Sequence, residues 1–502
     1  MTRPQTRREF VRNGAAAIAV ASTAGLIGAD LCGAAAPADT TAELRRRLRG
    51  TLLRPTDAGW GEAKALYNPR LEVSPRAIAF CESAADVSEV VRFARRRGWP
   101  VAARGGRHSF GGYSNAIGGI VADISRMDTV SLERDRPVVR VGAGANVLDV
   151  YRDLVLAHAM VLPVGTCPTV GISGLVLGGG FGRLMRRHGT TADSLRAATV
   201  VLADGRVVRC HEALRPDLFW ALRGGGAGYG VVTEMRFAVQ RPAGPLSFSL
   251  RFPWERAGAA LDAWQRTLPQ AGRELSYGRF RALCAPSGAL TATASGHWYG
   301  SESDLRARLG GLLAAQPSST TIGRRLSIDA ALPDATRRTP DGGVSATVAH
   351  FPNYQRSDFF DALLSPDAIA ALLAQIAAWP GVGGSGHEGG VQLDALGAEV
   401  NRPRPGATAF VHRRHRFHCA YLSFWGRADA PDRAAACAEW TRTTHALMRP
   451  HASGAAFQNY IDPELADWQR AYYGSNLARL QAVKRGYDPA GRFDFAQGVG
   501  VA

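Results

Sequence analysis

Residues 165–182 read GTCPTVGISGLVLGGGFG, a lone cysteine at the mouth of a loop nearly bare of side chains. Glycine at this density either brings the backbone close to something or supplies positive φ. Cys167 is then small filler or a reactive atom, and filler is the commoner fate of an isolated thiol. The surrounding chain has to decide between them.

Upstream, from about Pro75 to Gln240, strands and helices alternate. Arg76–Phe80 reads as a strand. Ser83–Arg97 reads as an amphipathic helix started by Ser83 and Asp86 and stopped by Gly98. Val101–Ala103 is a short strand, Gly119–Ile124 and Val138–Gly142 are strands, and Val147–Ala157 is a helix. Ala197–Ala203 and Arg206–Cys210 form a hairpin about Asp204-Gly205, and Val231–Val239 closes the region. A second region begins near Pro242-Ala243-Gly244-Pro245. Its alternating runs, Leu246–Phe252 and Leu290–Trp298, predict antiparallel strands. Helices Ala257–Leu268, Ser303–Ala314 and Pro366–Trp379 lie between them, the pattern of an α+β domain. Residues 318–343 have little pattern and stay unassigned. The tail from about Ala456 carries Trp468–Tyr473 and a helix Asn476–Arg485 stopped by Gly486.

The chain has 502 residues and a net charge of +17. Almost all its basic residues are arginine, Lys64 and Lys484 excepted, and they are scattered. No basic stretch interleaves with aromatics, so nucleic acid is not an expected partner. At the N-terminus, Thr6-Arg7-Arg8-Glu9-Phe10-Val11-Arg12 precedes an apolar run, Gly14 to Gly28, and the small-residue site Ala34-Ala35-Ala36. This reads as a twin-arginine export signal over residues 1–36, a route taken by folded proteins that often carry a cofactor. Ala29-Asp30-Leu31 before Cys32 is a poor lipoprotein site, and no other segment would span a bilayer. The remaining cysteines, Cys81, Cys167, Cys210, Cys284, Cys419 and Cys437, show neither metal spacing nor a disulfide framework. His412, His415 and His418 sit in text that predicts a strand, where a spacing of three alternates faces. His415 and His418 therefore read as surface residues rather than metal ligands.

Which ligand do the glycines serve? A G-x-G-x-x-G pattern occurs at 381–386 and again at 384–389, but a helix precedes it and a strand follows, the reverse of a dinucleotide fold. No P-loop is present. Arg104-Gly105-Gly106-Arg107-His108-Ser109 instead sets consecutive small residues at a strand end. Exposed N–H groups there suit a diphosphate, with Arg104 adding charge.

The segments YNPRL, AARGGRHSFGGYS, GTCPTVGISGLVLGGGFGRLMRRHG, DLFWALRGGGAGYGVVTEM, TAFVHR, NYID and YYGSNLARLQAVKRGYDPAGRFDFAQ occur in order over almost the whole chain after the signal. Together they resemble the berberine bridge enzyme-like oxidases of the vanillyl alcohol oxidase / p-cresol methylhydroxylase flavoprotein superfamily. The resemblance implies an α+β fold: a two-part FAD-binding domain of the p-cresol methylhydroxylase type and a substrate domain with an antiparallel sheet backed by helices. Residues 37–240 (core 75–240) and 456–502 would form the first, residues 241–455 the second.

The same resemblance implies FAD bonded at its 8α-methyl to His108 and at C6 to Cys167. Arg104, Gly105, Gly106, Arg107, Ser109, Tyr113, Gly165, Thr166, Val170, Gly171, Gly174, Gly179, Gly182, His188, Gly189, Gly230, Val232, Asn459 and Asn476 would hold the cofactor. Arg107 stands where the family commonly has glycine, and Ala398 and Ala227 interrupt two further glycine positions. Tyr460 would be the catalytic base. Gln392 and Asp394, on one face of a predicted strand, would bind substrate hydroxyls or assist it. Val170 suggests an oxidase that turns a hydroxylated small molecule, a sugar or a secondary metabolite, over with O2 to hydrogen peroxide. The alternatives are a dehydrogenase with another acceptor and a flavin-binding scaffold without turnover. Oligomeric state is not legible. The first prediction follows: acid denaturation should leave flavin in the precipitate, and intact mass should report the loss of one bond each in His108→Ala and Cys167→Ala.

Overall fold

The computed structural model describes residues 40–500 except 333, 335 and 340–342. The expected export signal lies outside the described residues.

Three sheets organise residues 43–500. The first has four strands, β1 (Thr51–Leu53), β2 (Ala77–Phe80), β3 (Val101–Arg104) and β4 (Ile120–Asp123), in the order β1-β2-β4-β3. β4 runs parallel to both β2 and β3. Helix α1 (Ala84–Arg97) makes the crossover; Ser83 caps its first turn by accepting from the Asp86 N–H, and Gly98 ends it at φ 69°. The second sheet is antiparallel: β5 (Val130–Leu132), β6 (Val138–Gly142), β7 (Leu195–Val201), β8 (Val207–His211) and β9 (Val231–Ala238), ordered β5-β6-β9-β7-β8. Between β6 and β7 the glycine-rich loop feeds helix α2 (Ile172–Leu177).

The third sheet is also antiparallel. Its strands are β10 (Leu246–Phe252), β11 (Leu275–Cys284), β12 (Leu290–Trp298), β13 (Ser319–Arg324), β16 (Asn353–Phe360), β17 (Glu388–Ala395) and β18 (Phe417–Phe424). They lie in the order β13-β10-β12-β11-β17-β18-β16, with a small hairpin, β14 (Thr336–Arg338) and β15 (Val344–Ala346), apart. Helices α3 (Ala257–Thr267), α4 (Pro366–Ala377) and α5 (Pro431–Met448) bury Leu261, Trp264, Leu372, Ile376 and Trp440 against one face. Phe280, Val391, Leu393, Phe417 and Cys419 answer from the sheet. Alternation along the strands turns Arg279, Gln392, Asp394 and His418 to the opposite face. This is the expected mixed α+β architecture, and no helix among the described residues is long and apolar enough to cross a membrane.

The tail returns to the first two sheets. Tyr472, Tyr473, Leu480, Val483 and Phe493 share one core cluster with β2, β4, β6, β7 and β9. The Val101 N–H donates to the Arg492 carbonyl at 2.9 Å.

Several local expectations are corrected. The tail helix α6 runs Leu477–Tyr487, through Gly486, and is capped by Asp488. The predicted helix from Val147 is α-helical only to Val150 and continues as a wider π turn, Tyr151–Leu156. The predicted helix Ser303–Ala314 is split into Glu302–Arg308 and Gly310–Ala314, where Gly310-Gly311 weakens it. The unassigned stretch supplies β13, an edge strand exposed on most of its length, so it shows no alternation. Residues 412–416 are not strand, since β18 begins at Phe417.

Trp264 is fully buried between α3 and the sheet. Trp264→Ala should cost ~3–5 kcal/mol, read as a lower denaturant midpoint.

Candidate functional site

The two glycine loops meet backbone to backbone. A Cβ on Gly106 would stand 2.2 Å from the Gly171 nitrogen and 2.7 Å from the Thr169 carbonyl oxygen. A Cβ on Gly171 would stand 2.5 Å from the Gly106 nitrogen. Only glycine at both positions permits this approach.

The apposition opens a cavity of about 670 Å3. Its wall runs from residues 100–117 and 493–496 at one end, past the loop 165–182, to Tyr277, Arg279, Gln355 and Asp394 of the third sheet at the other. Residues 457–461 close it.

His108 and Cys167 come together on Thr169. His108 Nε2 lies 2.8 Å from Thr169 Oγ1, and Cys167 Sγ lies 3.7 Å from the same oxygen. Tyr67 stacks on the imidazole, its ring centroid 3.8 Å away at 21°. Burial, helped by the nearby His350, pushes the His108 pKa down to about 3, so the ring is neutral. Burial raises the Cys167 thiol, and Thr169 opposes that shift.

Arg107 adopts a left-handed backbone, at φ 66°. Its Nη1 donates to the Glu62 carbonyl at 3.1 Å and its Nη2 lies 3.8 Å from Asp123. A non-glycine residue held in this conformation carries a backbone strain of roughly 1–3 kcal/mol. Arg104, expected to add charge near an anion, lies on the cavity wall. Its guanidinium is fully buried, bound to Asp123 at 2.7 Å and to Asn115 Oδ1 at 2.8 Å. One edge is left over, since Nη2 has no partner.

Tyr460 ends a short 3₁₀ turn, Gln458–Tyr460, and packs on Phe110, Phe457 and His418. Burial pushes its hydroxyl up to about 12; Asp394 adds to the rise and Arg279 opposes it. Arg279 and Asp394 are cross-strand partners on β11 and β17, with Nε donating to Oδ1 at 2.8 Å. Gln392 Nε2 donates to Asp394 Oδ2 at 3.2 Å. Asn459 orients the loop, donating to the Leu175 carbonyl at 3.0 Å.

Most of the expected residues line the cavity: 104–109, Tyr113, 165–167, Val170, Gly171, Gly174, Gly182, Gly230, Val232, Asp394, Asn459 and Tyr460. Five do not. Gly179 is packed under Phe410, 2.6 Å from where its Cβ would be. His188 ends the short helix Met185–His188 away from the cavity, held neutral by burial. Gly189 abuts Asp193. Asn476 ties α6 to the carbonyls of Pro405, Thr408 and Ala409. Gln392 reaches the wall only through Asp394. His418 is corrected from surface to fully buried, because β18 starts at Phe417 and turns it toward Tyr460. Neither of its ring nitrogens has a partner, and burial lowers its pKa to about 4. His415 pairs with Asp361 at 2.6 Å. Among the described residues no group of three His, Cys, Asp or Glu is placed to hold a metal.

Sequence reading missed Tyr67, Thr169 and Arg279. Thr169 stood inside the quoted loop, two residues from Cys167. Tyr277, Arg279 and Arg281 alternate with Phe280 and Ala282, a period-two signal for β11 that was available.

Residues 75–211 match the family model described as FAD binding domain, and residues 456–500 the one described as berberine and berberine like. The chain is 30% identical over 463 residues to the uncharacterized FAD-linked oxidoreductase YgaK of Bacillus subtilis (strain 168), covering 91% of this chain and 98% of that protein. It is 30% identical over 461 residues to the glucooligosaccharide oxidase of Sarocladium strictum, covering 86% and 88%. The solved structure of Physcomitrella patens BBE-like 1 superposes with a TM-score of 0.80 at 26% identity, covering 92% of this chain and 99% of that one. Fold and cavity thus define an FAD-linked oxidoreductase. More particularly, the chain belongs to the berberine bridge enzyme-like family of FAD-linked oxidases.

The residues present fit FAD. Arg104 Nη2 and Ser114 Oγ are buried on the cavity wall with no partner, and a diphosphate or ribityl chain offers the acceptors they lack. A Cβ on Gly174 would meet nothing within 4 Å, so that part of the wall faces open space. Gly106→Ala should lose about 1–3 kcal/mol and most bound flavin, while Gly174→Ala should keep its stability; thermal denaturation and flavin absorbance check both.

Proposed function

We propose that this protein oxidises a hydroxyl-bearing carbon of a sugar or oligosaccharide, with O2 reduced to hydrogen peroxide. His108 and Cys167 would hold the flavin by covalent bonds. Bound FAD would supply the hydride acceptor and the route to O2. What this chain supplies is position and proton control.

Tyr460 takes the hydroxyl proton. The Arg279 guanidinium stabilises the phenolate that accepts this proton, and Asp394 holds Arg279 in place. Gln392 steadies Asp394 from behind, while Gln355 and Asp394 offer hydrogen bonds to substrate hydroxyls on the cavity wall. The observation that carries this reading is one cavity holding both the paired His108 and Cys167 and the Tyr460–Arg279–Asp394 group. The likeness to a glucooligosaccharide oxidase supports the substrate class. Val170 on the cavity wall supports use of O2. The Arg7-Arg8 segment supports export in the folded, loaded state.

A panel of sugars mixed anaerobically should bleach the flavin, and admitting air should restore it rapidly with peroxide formed. Slow reoxidation would make it a dehydrogenase, and no bleaching by any sugar would overturn the reading.

A second measurement addresses the base. Tyr460 works only when deprotonated, and its pKa stands near 12. The kcat profile should therefore rise with pH across the neutral range. Arg279→Gln removes the group that lowers that pKa, so the rising limb should move to higher pH. Tyr460→Phe should cut kcat by about 10²–10⁴-fold with flavin content unchanged.

A further inference from the structure

We propose that Thr169 is the positioning residue for flavin attachment. Its hydroxyl accepts from His108 Nε2–H, which leaves Nδ1 as the bonding nitrogen, and directs its own proton to the Cys167 sulfur. This rests on the reading that both side chains bond the cofactor.

The geometry is that of a shared hydroxyl. Thr169 Oγ1 is 2.8 Å from His108 Nε2 and 3.7 Å from Cys167 Sγ. A hydroxyl has one proton to give and lone pairs to accept with. In the proposed arrangement it accepts from the imidazole through a lone pair and gives its own proton to the sulfur. A neutral imidazole carries a single N–H. If that hydrogen sits on Nε2, facing the threonine, the Nδ1 lone pair is free. The threonine proton then falls to sulfur, where a hydrogen bond favours the thiolate over the thiol.

The rest of the site holds this arrangement in place. Tyr67 covers one face of the ring. The Thr169 backbone is fixed by the approach of Gly106 to its carbonyl and by the Leu148 N–H, which donates to the Pro168 carbonyl at 3.0 Å. Cys167 is half-buried, whereas Cys81, Cys210, Cys284, Cys419 and Cys437 are buried. Tyr67, Tyr460, His350 and Asp334 are titratable groups around the pair.

Each attachment exchanges one hydrogen of the cofactor and one of the side chain for a C–N or C–S bond. The two hydrogens and their two electrons leave to dioxygen as hydrogen peroxide. At His108 the side-chain hydrogen lost is the one that Thr169 holds; at Cys167 it is the thiol proton.

The test uses the full-length protein as Thr169→Val, which removes the hydroxyl at constant shape, and Thr169→Ser, which keeps it. Peptide mass spectrometry reads the fraction of His108 and Cys167 peptides bearing flavin over time after riboflavin is restored to starved cells. Loss of one hydrogen bond should slow attachment about tenfold at both positions in Thr169→Val, with wild-type rates in Thr169→Ser. Wild-type rates in Thr169→Val, or loss in a folded Thr169→Ser, would overturn the proposal. Should the wild-type peptides carry no flavin, it is the covalent reading that fails. The pH profile of Cys167 alkylation in the same proteins then decides the Thr169 contact. An upward shift in Thr169→Val upholds it, and coincident profiles overturn it.

Discussion

The approach of Gly106 to Gly171 is the constraint on which the rest depends. A backbone nitrogen 2.2 Å from a would-be Cβ leaves no room for any other residue. That contact brings the loop after β3 onto the loop before α2. His108, two residues beyond Gly106, and Cys167 and Thr169, just before Gly171, are thereby carried into one cluster. Neither loop has a packed core of its own. Each is anchored at its ends, one by β3, paired parallel to β4 in the first sheet, and the other by Ile172 and Val176 of α2 in the main core.

The other end of the cavity is built by a different principle. There a seven-stranded sheet presents one apolar and one polar face, and the polar face carries Arg279 across from Asp394. Desolvating such a pair is costly, and it is tolerated only where geometry is good and other hydrogen bonds assist. Gln392 gives that assistance. The pair leaves a cation close to a buried phenol, which otherwise resists ionisation. His418 lies behind the same phenol, neutral and packed among Phe181, Phe359 and Phe457.

Legibility in the sequence followed local physics. β10 and β12 have the limits their alternation predicts. Helix α1 begins and ends at its caps. Helix α5, the longest in the described chain, went unread because its apolar residues form no clean stripe; it buries threonines and a histidine beside Trp440. At the site, loops dense in glycine were easy to find, because few other structures need that composition. Arg279 and Thr169 were not found, because their importance lies in what stands across from them. No local pattern reveals that a threonine hydroxyl is shared by two side chains from separate loops. Gly179, Gly189 and Asn476 show the converse: residues that look like ligand contacts serve packing between segments.

The return of the tail to β3 bears on the order in which the fold is completed. The Arg492 carbonyl completes hydrogen bonding at the start of β3, and residues 457–461 and 493–496 wall the cavity. Until the segment 457–496 has docked, the pocket is not closed, however well the first four hundred residues have folded. Assembly of the cofactor pocket thus depends on a contact between segments nearly four hundred residues apart, and docking of the later one is what completes the enclosure.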